Sequence, residues 1–260
     1  MRIGAVSYLN TKPLIYGLSQ RLPEAEIVLD FPSHLADRLA AGDLDVALIP
    51  SLEYFRGNDW QIVSDACIAC RGAVRSVRLL FRTPPPQVAS LALDEGSRTS
   101  AALAQILLHE RFGVRPQLQP LPIDAPVDSV DADAVLIIGD RAMELPCRDW
   151  VETWDLGTEW MALTEMPFVF AMWVAGPVPL PNAIAAAFEA SRNAGLAAAR
   201  RIAEAEAPAY GLTADDCWRY FTEQLHFRLG PRERAGLDLF HRLALSLELI
   251  PHPPTTIEQT

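Results

Sequence analysis

One lysine, four cysteines and five histidines are all that 260 residues contain of these types, and each scarcity removes a class of function. Cys67 and Cys70 form a C-x-x-C pair, but no second pair exists to close a zinc site. Nor does the pair stand at a strand-to-helix turn, where a redox motif would sit. It reads as two residues in a strand or at its end. Of the histidines, His34, His109, His226 and His241 fall on predicted helices or their ends, and His252 lies in the tail. No strand-end loop carries one. With no His, Cys or carboxylate cluster at ligand spacing, no metal is expected. No G-x-G-x-x-G, Walker or G-x-S-x-G pattern occurs, so neither a nucleotide site nor a nucleophile elbow is signalled, and no cofactor is expected.

Positive charge is also short. Lys and Arg number 22 against 33 acidic residues, a net charge of −11. Such a surface argues against nucleic acid, whose phosphates need a basic partner. It leaves room for a small anion, because helix N-termini and one or two cations can make a pocket locally positive. Lys12 is the only lysine, which fits codon bias and equally fits a cation kept beside a ligand loop. No run approaches the about 18 consecutive apolar residues of a membrane helix. Met1-Arg2 leads into too few apolar residues for a secretory h-region, so a cytoplasmic location is expected.

Half of the chain is hydrophobic, at 50%, enough for one large or two modest domains. Its first third alternates strand and helix: strands at 2–6, 25–30 and 45–49, helices at 13–22 and 34–41, and a short helical segment at 52–55. Strands follow at 61–64 and 74–81. Thr83-Pro84-Pro85-Pro86 can be neither helix nor interior strand and reads as a boundary. A second α/β unit follows, with a strand at 90–93, a helix at 99–111 capped by Thr99 or Ser100, and a strand at 135–138. A strand at 168–174 precedes helices at 181–207, from 213 and at 231–249. The architecture this predicts is α/β, with two lobes and a ligand cleft between them. Residues 1–84 and 167–260 form lobe I, and 85–166 form lobe II.

The candidate site lies where strands end. Ser7, Tyr8, Asn10 and Thr11 crowd the loop after the first strand, ahead of Pro13, which suits a first helical turn. Lobe I adds Ser51 and Ser76; lobe II adds Thr99, Ser100, Gly139 and Asp140. Ser7, Thr11, Ser51, Thr99 and Ser100 could serve as helix caps, and Asn10 as a cap or turn residue, with or without touching a ligand. Ser76 sits in an otherwise apolar strand, where its hydroxyl needs a partner. Asp140 is either a turn residue or a polar cleft group. Tyr54, Phe168, Phe170 and Trp173 fit the core better than a ligand platform. Hydroxyls, amides and backbone N–H groups bind carboxylates well and are poor bases. The chain is therefore a binding protein, or an enzyme whose substrate brings its own base and whose catalysis is orientation and electrostatics.

Several ordered motifs resemble the chorismate dehydratase family of the futalosine route to menaquinone. They are Ser-Tyr-Leu-Asn-Thr-Lys-Pro-Leu (7–14), Asp-Val-Ala-Leu-Ile-Pro-Ser (45–51), Arg-Gly-Ala-Val-Arg-Ser-Val (71–77), Gly-Ser-Arg-Thr-Ser (96–100) and Ile-Gly-Asp-Arg-Ala (138–142). Asp-Leu-Gly-Thr-Glu-Trp (155–160), Pro-Phe-Val-Phe-Ala-Met-Trp (167–173) and Gly-Leu-Asp-Leu-Phe (236–240) continue the pattern. The resemblance implies a periplasmic-binding-protein type II fold. It also implies removal of water from chorismate, a dianion, to give 3-[(1-carboxyvinyl)oxy]benzoate without cofactor or metal. Carried over, Asn10 would assist as the substrate's own enolpyruvyl carboxylate takes the ring proton. Ser76 would contact a substrate carboxylate, and Thr99 and Ser100 match the second-lobe helix start. Cys67 and Cys70 are not part of the pattern. The sibling 1,4-dihydroxy-6-naphthoate synthase has a different first loop and uses a histidine absent from these loops. A cytoplasmic small-anion binding or sensing protein is the alternative from another class.

Overall fold

A computed structural model describes residues 1–57, 59–144, 149–178 and 180–251; His252 and Cys147 lie outside them. The elements follow in order: β1 (Arg2–Val6), α1 (Leu18–Arg21), β2 (Glu26–Asp30), α2 (Pro32–Ala40), β3 (Val46–Pro50), α3 (Ser51–Arg56), β4 (Gln61–Cys70) and β5 (Val77–Phe81). Then come β6 (Ser90–Asp94), α4 (Arg98–Phe112), β7 (Gln117–Leu121), β8 (Ala134–Ile138), β9 (Glu152–Asp155), α5 (Leu156–Thr164) and β10 (Phe168–Ala175). The last are α6 (Asn182–Ala197), α7 (Ala199–Glu206), α8 (Ala214–Arg219), β11 (His226–Arg228) and α9 (Pro231–Ser246).

The strands form two mixed sheets, ordered β11-β4-β10-β3-β1-β2 and β7-β6-β8-β5-β9. In the first, β1 runs parallel to β2 and β3, while β10 is antiparallel to β3 and β4. In the second, β6 is parallel to β7 and β8, and β5 is antiparallel to β8 and β9. The apolar runs of β3, β8 and β10 are buried along their whole length, as a strand covered on both faces requires. One apolar core continues from the first sheet into one face of the second; Leu80, Val135 and Ile137 belong to a smaller cluster.

Four expectations are corrected. The 77–81 strand, placed in lobe I, pairs with β8 and β9 in the second sheet. The first crossing between sheets therefore lies between Cys70 and Val77, ahead of Pro84. A strand's residues reveal that it is a strand; the sheet it joins is set by distant partners. The predicted helix over 13–22 is mostly turns, with a 3-10 turn at Leu9–Thr11 and a single α turn at Leu18–Arg21. Gly17, in the left-handed region at φ 68°, restarts the chain there. The cap of α4 is Ser97, whose side chain accepts from Ser100 N, so neither Thr99 nor Ser100 is the cap. The long helix over 181–207 breaks at Ala198 into α6 and α7. Cys67 and Cys70 lie buried in β4, as a strand pair.

Candidate functional site

Between the two sheets lies a partly open cavity. Its polar lining is Tyr8, Asn10, Ser76, Ser97, Ser100 and Gly139; Val6, Pro32, Pro50, Ile68, Val74, Val77, Ile138, Phe170 and Ala171 complete it. The mix, an apolar wall with a few convergent polar groups, suits a small organic ligand. Five of the ten expected site residues line it: Tyr8, Asn10, Ser76, Ser100 and Gly139. Phe170, expected in the core, forms part of its wall, while Phe168 and Trp173 are core residues.

Asn10 ends its loop at the cavity because the 3-10 turn Leu9–Thr11 buries Leu9 and Thr11 and leaves the residue between them facing out. The Thr11 hydroxyl donates to Asn10 Oδ1 at 3.2 Å. That contact orients the amide, with oxygen toward Thr11 and the N–H groups turned away from it as donors. Thr11 thus meets Asn10 rather than a helix end, and no side chain caps the turn. Ser7 lines a neighbouring groove with Asp94, Asp140 and Arg141.

Ser76 lies in the crossing segment, one residue before β5. Arg75 beside it is in the left-handed region at φ 64°, where a non-glycine residue is strained. The segment is held by Asp155. One of its carboxylate oxygens accepts from Val74 N (2.9 Å), Gly157 N and Thr158 N (both 3.1 Å), the other from Arg75 N (2.7 Å). The same carboxylate therefore caps α5 and fixes the turn that presents Ser76. Across the gap, Gly139 N donates to Ser76 O at 2.9 Å. Gly139 has φ 70° and ψ −151°, open to glycine alone, and a Cβ there would come within 2.8 Å of the Tyr8 ring. Burial, then the Asp94 and Asp140 carboxylates, push the Tyr8 phenol well above its ordinary range. It is a neutral donor.

Ser51 and Thr99 do not reach the cavity. Ser51 Oγ donates to Val169 O at 2.7 Å, and Thr99 Oγ1 accepts from Leu52 N at 3.0 Å. The two hydroxyls lie 3.4 Å apart. With the Ser51 proton committed, the Thr99 hydroxyl is the donor between them. They tie the start of α3 to the start of α4, joining the lobes behind the cavity. Asp140 also joins lobes, through Leu9 N. Lys12 pairs with Glu206 at 2.9 Å, clasping the first loop to α7.

Three polar residues at this site are not among the ten expected site residues, although Ser97 and Asp155 stand within the motifs at 96–100 and 155–160. Ser97 lines the cavity as the α4 cap, and the Ser97–Ser100 spacing was its signal. Asp155 opens the motif at 155–160, and nothing local marked its reach to the crossing segment. Tyr220 is fully buried, and its hydroxyl donates to Ser76 Oγ at 2.8 Å. It stands on a π turn, Tyr220–Gln224, whose phase no α-helical periodicity shows. Among the described residues no three His, Cys, Asp or Glu side chains could hold a metal ion together, and no helix is long and apolar enough to cross a membrane.

Residues 1–246 match the family described as Menaquinone biosynthesis. A relative from Thermus thermophilus, a chorismate dehydratase, is 32% identical over 268 residues, covering 96% of each chain. Among solved structures, a protein of Archaeoglobus fulgidus superposes with a TM-score of 0.69 at 15% identity, covering 96% of this chain and 98% of that one. The periplasmic aliphatic sulphonate binding protein SsuA of Escherichia coli superposes with a TM-score of 0.60 at 17% identity, covering 97% and 94%. At these identities the two structures speak for the fold alone, the periplasmic-binding-protein fold.

Proposed function

The chain belongs to the menaquinone biosynthesis family, and from that membership we infer that it is a chorismate dehydratase, a hydro-lyase acting on chorismate. The observation that carries this reading is the full-length match to a relative of that activity. The cavity agrees with it. Among the described residues lining it there is no carboxylate, imidazole, amine or thiol to act as a base. The proposed reaction takes its base from the substrate.

Chorismate has one in its enolpyruvyl carboxylate. In the proposed step that carboxylate takes the ring proton next to the hydroxyl-bearing carbon. The C–H electron pair becomes the third ring double bond, and the ring hydroxyl leaves with a proton as water. The product is 3-[(1-carboxyvinyl)oxy]benzoate. Gain of an aromatic ring drives the step, so the protein's work is positioning and stabilising charge. Asn10, its Oδ1 held by Thr11, presents an N–H to the departing hydroxyl. Ser76, Ser100 and the N-terminal end of α4 receive substrate carboxylate. Tyr8 and the Gly139 backbone close the cavity from the two lobes, whereas Ser7, Thr11, Ser51, Thr99 and Asp140 act one step back, by shaping the loops. The lobe division is proposed as 1–73 and 167–251 against 77–166, with the crossing segment between. We propose a cytoplasmic location, with a small soluble dianion as the partner.

The test is incubation of chelator-treated protein with chorismate and mass detection of a product lighter by one water. Its formation, with loss in Asn10→Ala, supports the proposal. Chorismate bound but unchanged would make the protein a binder or sensor.

A further inference from the structure

We propose that Tyr220 is a positioning residue of the cleft, its hydroxyl setting Ser76 as a hydrogen-bond donor into the cavity. The inference rests on the reading of the cavity as a carboxylate-binding site. A serine hydroxyl has one proton and two lone pairs. Tyr220 fills one lone pair of Ser76 by donating at 2.8 Å, so the serine proton must point elsewhere. The acceptor the protein offers it is Val74 O, at 3.4 Å, a long and weak contact. A carboxylate oxygen entering the cavity can take that proton at small cost. The chain from phenol to serine to carboxylate is then polarised in one direction, each bond strengthening the next. Burial pushes the Tyr220 phenol far up, so it stays a proton donor. A phenylalanine would keep the ring in its socket and leave the serine free to turn its proton away from the ligand.

The test is a cycle of wild type, Tyr220→Phe, Ser76→Ala and the double variant, read on chorismate turnover and binding. Tyr220→Phe should raise KM about 5-fold, the worth of one ordinary hydrogen bond, with a smaller fall in kcat. In the Ser76→Ala background it should change KM less than about 2-fold, because the hydroxyl it orients is gone. An equal factor in both backgrounds, as general loosening would give, or an unchanged KM, overturns the inference. If wild type binds chorismate without turnover, dehydration fails as the function and the same cycle is read on Kd. If wild type does not bind chorismate, the assigned substrate fails, and nuclear magnetic resonance of the free protein decides the inference. Tyr220→Phe should then move the Ser76 β-proton and β-carbon resonances, and unmoved resonances overturn it. Should Tyr220→Phe not fold, the wild-type spectrum decides: a slowly exchanging Tyr220 hydroxyl proton with a cross-peak to Ser76 Hβ supports the inference, and its absence overturns it.

Discussion

The Asp140 carboxylate accepts the backbone N–H of Leu9 at 3.1 Å, so the loop after β8 holds the loop after β1 across the mouth of the cleft. Burial raises the pKa of this carboxyl from 3.8 to about 6, against the Leu9 N–H and the nearby charge of Lys12, which favour ionisation. Between 3.8 and about 6 the folded chain holds a proton that the unfolded chain has released. Stability from this group is therefore full below that window and is lost as pH rises through it. Asp140→Asn keeps an acceptor for Leu9 and removes the titration. Its melting temperature should gain on wild type as pH rises from 3.8 to about 6. Parallel melting curves across that range would disprove the assignment.

Asn10 and Ser76 face the same cavity with different chemistry, so their removal should separate kinetically. Asn10→Ala should lower kcat about 100-fold, as for loss of a donor to developing charge, with little change in KM. Ser76→Ala should raise KM about 10-fold, the worth of a hydrogen bond to a charged group, and spare most of kcat. Steady-state kinetics on chorismate reads both. Equal loss of kcat in the two variants contradicts this division of roles.

Asp155 serves four backbone N–H groups from two segments, which makes it the most connected side chain at the crossing. Asp155→Ala should destabilise the protein by about 3 kcal/mol in urea unfolding, since it strips a helix cap and two charge-assisted bonds together. The turn carrying Ser76 is released at the same time, so chorismate KM should rise as well. A loss below about 1 kcal/mol would mean that water replaces the carboxylate at the crossing.

Gly195 is buried in α6 against the first loop, and a Cβ there would overlap the carbonyl oxygen of Pro13. Alanine in a helix interior is ordinarily worth up to about 1 kcal/mol over glycine. Here the sign should reverse, because the clash is with backbone that cannot swing aside. Gly195→Ala should melt lower than wild type and turn over chorismate more slowly, through displacement of the loop that holds Asn10. A higher melting temperature would show that α6 can retreat from the loop.

The sequence is most legible where one local rule decides. The apolar runs of β3, β8 and β10 read as buried strands because no other short element tolerates them on all sides. The loop bearing Asn10 is legible as a strand end crowded with polar groups. The first crossing is not: Val77–Phe81 has the same apolar character in either sheet, and its neighbours β8 and β9 are distant in sequence. Pro13 misleads for a related reason. It permits a helix, but Gly17 and the burial of Leu9, Thr11 and Leu14 select turns. Ser51 and Thr99 look like ligand contacts in one dimension, and only their pairing across the lobes shows that both hydroxyls are already spent. Tyr220 carries no local mark, because its direction is set by a π turn and its meaning by Ser76, 144 positions away.

The clasp between Lys12 and Glu206 has a practical side. Lys12 holds the chain's only side-chain amine, partly accessible at 27% and two residues from Asn10. Amine chemistry that would scatter labels over most proteins meets one side chain here besides the α-amino group of Met1, and that side chain lies two residues from Asn10. A fluorophore or isotopic tag attached there would watch the first loop directly, without a cysteine being engineered for it.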